Sequence, residues 1–114
     1  MQKGKPLEIH CDSMGLAVSM PEAQPHVELK WDDVNGILAY KRDVFAFDLI
    51  CLGFVTANET VEGHEQMQGW SQLVEQLPSW LPGVPPLSEW WERVAQPPFG
   101  TSRTTLFDRA QPRT

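Results

Sequence analysis

Along the first half of the chain the hydrophobic pattern has a period of two. Leu7, Ile9 and Cys11 alternate with Glu8, His10 and Asp12, and Leu16, Val18 and Met20 alternate with Ala17 and Ser19. Successive strand side chains point to opposite faces, so each run predicts a strand with one face on a core. Asp12, Ser13, Met14 and Gly15 between them have the composition of a tight turn, which makes the pair a hairpin. Beyond a loop held irregular by Pro21 and Pro25, Val27, Leu29 and Trp31 alternate with His26, Glu28 and Lys30 and predict a third strand in that sheet. Asp32 and Asp33 mark a corner with room for one short helical turn. The strongest strand signal follows, in residues 36–42 and 47–55, rich in Ile, Leu, Val, Phe, Tyr and Cys. In the second arm both alternating sets are apolar: Leu49, Cys51 and Val55 on one side, Ile50, Leu52 and Phe54 on the other. That arm is therefore expected at the centre of a sheet, covered on both faces. A last strand is expected around residues 59–63.

Past His64 the period lengthens to that of a helix. Trp70, Leu73, Val74 and Leu77 fall at i, i+3, i+4 and i+7, predicting a helix over about 66–77 that Pro78 ends. Leu87, Trp90, Trp91 and Val94 repeat the spacing over 88–95, with Ser88 in position to cap and Pro97 and Pro98 as the stop. The first helix is expected across the sheet with Trp70 inserted, and the second beside it or across a barrel end. Strands followed by helices indicate α+β, an antiparallel meander sheet or half-barrel with two short C-terminal helices; a parallel α/β fold would interleave them. One domain over residues 1–100 is the reading, with 101–114 as a tail that Leu106 and Phe107 tack on as an edge strand.

Composition agrees with one ordinary core: 114 residues, 41% hydrophobic and 21% charged. No apolar stretch reaches the length of a membrane span, and the lysines near the start have no apolar segment behind them, so a soluble, cytoplasmic protein without an export signal is expected. In that compartment Cys11 and Cys51 are expected as reduced thiols. The net charge of −6 argues against nucleic acid, whose phosphates call for clustered Lys and Arg. The acids concentrate between Glu59 and Glu92, a span without Lys or Arg, whereas Arg103, Arg109 and Arg113 make the tail mildly basic. Such a flank suits a basic protein partner; a solvated face is its plainer account.

Strands in a meander followed by a capping helix, with the sequence VELKWDDVNGILAYKRD, resemble the pleckstrin-homology-like half-barrel. The set W-D-D-V-x-x-I, A-Y-K-R-D, D-L-I-C-L, G-W-x-x-L, L-P and Q-P-P-F, between Trp31 and Phe99, also resembles a family of small uncharacterised bacterial proteins. The resemblance implies a fold and brings no catalytic residues with it. Lipid-binding members of the superfold use Lys and Arg around the first hairpin loop. Here that loop is Asp12, Ser13, Met14 and Gly15, so phosphoinositide binding is not expected.

No nucleophile with a base, no metal-ligand spacing and no phosphate loop stands out, so catalytic residues, metals and cofactors are all expected to be none. His10 and Cys11 face opposite ways on a strand, and a zinc site would need His26 or His64 from elsewhere. His64 with Glu65 lacks a nucleophile, and the helix dipole accounts for Glu65. Asp43 and Asp48 form a carboxylate pair whose plainer role is in cross-strand ion pairs such as Arg42 with Asp48. The leading expectation is a non-enzymatic module that binds a protein partner, with Phe45, Trp91, Trp80, Glu89 and Glu92 as contact candidates and an immunity-type inhibitor of a basic toxin as one variant. The alternatives are a small-molecule or lipid module with an apolar pocket between sheet and helix, and an enzyme built on His64 and Glu65 or Asp43 and Asp48. A homodimer through an edge strand or the tryptophan-bearing helix fits any of these.

Overall fold

In the computed structural model, which describes residues 8–19, 27–43, 48–95 and 103–110, the chain first turns at Asp12. Its Oδ1 accepts the N–H groups of Met14 at 2.8 Å and Gly15 at 3.2 Å, an Asx turn that joins β1 (Glu8–Cys11) to β2 (Gly15–Ser19). Antiparallel β3 (Val27–Lys30) completes a three-stranded sheet in the order β1-β2-β3. Ile9, Leu16, Val18 and Leu29 fill its inner face, as the alternation requires. At Trp31–Asp33 the chain makes one 3-10 turn, and the Trp31 indole donates to the Asp12 carbonyl at 2.7 Å. The corner is therefore bonded back to the first hairpin.

This corner divides the expected single meander into two sheets. The long ribbon, β4 (Gly36–Asp43) with β5 (Asp48–Val55), runs in unbroken register from Gly36 opposite Val55 to Asp43 opposite Asp48. With β6 (Thr60–His64) and β7 (Arg103–Asp108) it forms a second antiparallel sheet in the order β6-β5-β4-β7. β5 is interior and buried on both faces, as its two apolar sets predict. The segment around Leu106 is the edge strand expected of it. Arg109 ties that edge to the corner, donating from Nε to the Val34 carbonyl and from Nη2 to that of Trp31, both at 2.9 Å.

Two helices follow β6, and α1 (Trp70–Trp80) departs from the expected bounds at both ends. It starts late because Gly69 has φ +92, and a Cβ there would lie 2.0 Å from the Ile9 carbonyl oxygen. The residues before it serve β1 instead, with the Ile9 N–H bonded to the Gln68 carbonyl at 2.7 Å. It runs past Pro78 because a proline in the last turn forfeits one ladder bond while a later one, Leu81 N–H to Leu77 carbonyl at 2.9 Å, still forms. Trp70, Leu73, Val74 and Leu77 are all buried, each side chain contributing roughly 1.5–3 kcal/mol. α2 (Leu87–Ala95) begins one residue before Ser88, which is thus inside the helix and not its cap. It buries Trp90 and Val94 against β4 and β7. At its far end Lys41, only 5% exposed, donates Nζ to the Ala95 carbonyl at 3.0 Å, a cation at the negative end of the helix dipole.

Candidate functional site

α1 and α2 share a six-residue pattern, WSQLVE at 70–75 and LSEWWE at 87–92: apolar, Ser, polar, two apolar residues, Glu. On a helix the first, fourth and fifth positions make the core stripe, and the second and sixth lie together on one flank of it. The two flanks line one hollow of about 750 Å³. Trp70 and Val74 are buried at its base, Leu87, Trp91 and Pro86 form the other wall, and Ser71, Glu75, Ser88 and Glu65 stand around it. An adjoining hollow of about 510 Å³ shares Leu87, Ser88 and Trp91 and adds Glu92. Together they make an open groove, each hollow being within the size range of ligand pockets.

The charges in this groove are all of one sign. No Lys or Arg lines either hollow, and among the described residues neither Glu75 nor Glu92 is in an ion pair. Glu65 is partly committed, its Oε2 accepting the Ile50 N–H at 2.9 Å while its own N–H reaches the Ile50 carbonyl at 3.0 Å. It prolongs the β5–β6 ladder by one residue. That role replaces the expected helix-dipole contact, since α1 begins five residues later.

The contact candidates separate. Trp91 and Glu92 meet in the groove. Glu89 is exposed, with the opposite side of α2, and Trp80 lies at the other end of α1 beside Cys11 and Gln76. The Cys11 thiol donates to Gln76 Oε1 at 3.9 Å, and burial pushes its pKa up against a smaller downward pull from the indole. Sulfur is a weak acceptor, so the buried Trp80 Nε1 makes no hydrogen bond of full geometry among the described residues. Phe45 lies outside the described residues, as do His26 and Phe99.

A second polar cluster, which the sequence did not single out, covers the outer face of the four-stranded sheet. The Tyr40 hydroxyl crosses Gly53 of β5 and donates to Glu62 Oε1 on β6 at 2.8 Å. A ring laid over a strand glycine supplies the packing that residue lacks. Arg42, opposite Leu49 in the register, reaches Glu62 Oε2 at 3.5 Å; the expected pair with Asp48 falls on a side chain outside the described residues. Asp43 and Asp48 stand opposite each other in the register, and their side chains lie outside the described residues. Between Tyr40 and His64 in this row stands Cys51, fully buried, its thiol donating to the Leu49 carbonyl at 3.5 Å. Burial first, then the Glu62 charge, pushes that thiol up to about 12, so it is protonated and unreactive at neutral pH. Burial likewise raises the Tyr40 hydroxyl and lowers His64, whose Nδ1 accepts the Gln66 N–H at 3.2 Å. His64 and Glu65 are thus each bonded to backbone. His10 is exposed beside Glu8 at 2.9 Å, and no group of three potential metal ligands occurs among the described residues.

Comparison with protein-family models, with curated proteins and with solved structures finds no match to this chain.

Proposed function

We propose that this protein acts by binding, and that the groove between α1 and α2 receives a basic segment of another protein. The observation that carries the reading is a half-buried tryptophan set among glutamates that no described cation neutralises. Trp91 offers a rigid apolar contact of the kind that dominates interfaces. Glu75 and Glu92 add the charge that orients and accelerates the encounter with a cation. The region expected to hold a small-molecule pocket supports the same choice: Leu52, Phe54, Leu73 and Leu77, from sheet and α1, are packed into one cluster, each no more than 2% exposed. An inhibitor that covers a basic surface of a toxin is one role such a groove suits.

The test is a calorimetric titration with a library of short peptides that place Arg or Lys on both sides of a Leu, against the same library carrying Glu. Basic peptides are expected to bind, more weakly as salt is raised, and Trp91→Ala is expected to cost at least about tenfold in affinity. Equal binding of acidic and basic peptides, or no binding by either, would overturn the reading.

A further inference from the structure

Resting on that reading, we infer that the groove is specific for arginine: a partner's guanidinium stacks on the Trp91 indole and shares its N–H donors between Glu92 and Glu75. Trp91 lines both hollows, so an occupant that runs along the groove passes it. A guanidinium is planar, weakly hydrated and carries five donors in a fixed fork, whereas an ammonium is a compact, strongly hydrated point charge. A flat aromatic wall with carboxylates from two helices suits the first. The serine hydroxyls of Ser71 and Ser88 provide further acceptors at the rim.

The protein already uses this chemistry internally. Arg109 lies with Cζ 5.3 Å from the centre of the Phe107 ring while its N–H groups go to the carbonyl oxygens of Val34 and Trp31. The groove presents the same two components, an aromatic face and oxygen acceptors, without a described cation between them. Lys41, buried among the described residues, acts otherwise, as a point charge on the end of α2.

The experiment compares three peptides, acetyl-Leu-Arg-Leu-amide and its Lys and citrulline counterparts, binding to the full chain by calorimetry. The arginine peptide is expected to bind about tenfold tighter than the lysine peptide, with the neutral citrulline peptide weakest. Trp91→Leu keeps an apolar wall and removes the π face, so it should erase the preference for Arg while the lysine peptide binds nearly as before. Equal affinity for the Arg and Lys peptides would overturn the inference and leave a basic-segment groove standing. Binding by neither would overturn both. A preference that survives in Trp91→Leu would rule out stacking as its cause.

Discussion

The groove between the helices and the outer face of the four-stranded sheet carry the same kinds of side chain, an aromatic residue beside glutamates, yet they differ in what the glutamates touch. On the sheet, Glu62 is held by the Tyr40 hydroxyl and the Arg42 guanidinium. In the groove, Glu75 and Glu92 have no such partners among the described residues. Residue type alone therefore does not separate the two regions. What separates them is whether the hydrogen-bonding and charge capacity is already used within the fold. The sheet cluster uses its capacity within the fold, and the groove's glutamates leave theirs unused among the described residues.

The largest effect is expected from adjacent tryptophans on α2. Trp90, 2% exposed, belongs to the core, so Trp90→Ala should cost about 3–5 kcal/mol in chemical denaturation. Trp91→Ala should cost roughly half that or less while removing peptide binding. A Trp91→Ala loss as large as that of Trp90 would make Trp91 core and end its role as a contact. Next come the two kinds of glutamate. Glu62→Ala leaves Tyr40 and Arg42 without their acceptor and should cost about 1–2 kcal/mol, less than a fully buried charged bond because the site is partly solvated. Glu92→Ala should change stability by no more than about 0.5 kcal/mol.

Near neutrality the smallest effect is one of pH, and in this comparison the outer face of the four-stranded sheet carries it. Cys51, raised in the fold from its ordinary 9.0 to about 12, favours the neutral thiol there. Its contribution is fully present below pH 9 and is lost as pH rises from 9 toward 12, because only the unfolded chain gains the thiolate. Tyr40, also raised, adds in the same direction above pH 10. His64 is lowered, so stability should also fall as pH drops below 6.5. Denaturation midpoints across that range should decline at both ends, with a shallower alkaline decline in Cys51→Ala.

Much of the fold is written in periodicity. The two apolar sets of β5 placed it inside a sheet, and the i, i+3, i+4, i+7 stripes gave both helices. What failed were local rules overridden by distant contacts. Pro78 looked like a stop, and α1 continued because Leu81 still closes on Leu77. The run before Trp70 looked helical, and Gly69 was held in a left-handed conformation against Ile9. At the site, the paired patterns WSQLVE and LSEWWE were visible as letters, but only the fold brings residues of both helices to one hollow. The choice between Glu89 and Glu92 was legible: at about 100° per residue, only Glu92 follows Trp91 onto the flank it shares with Ser88. The bond from Tyr40 to Glu62 depends on the register of three strands, which spacing along the chain does not encode.

The central claim is that the capacity left unused in the groove is where a partner binds, and amide chemical-shift mapping tests it most directly. On titration with an arginine-bearing peptide, the account predicts perturbations concentrated at Glu65, along residues 70–75 and along residues 87–92, with those of Tyr40, Arg42 and Glu62 unmoved. Perturbations centred on the outer sheet face, with the two helices silent, would contradict it.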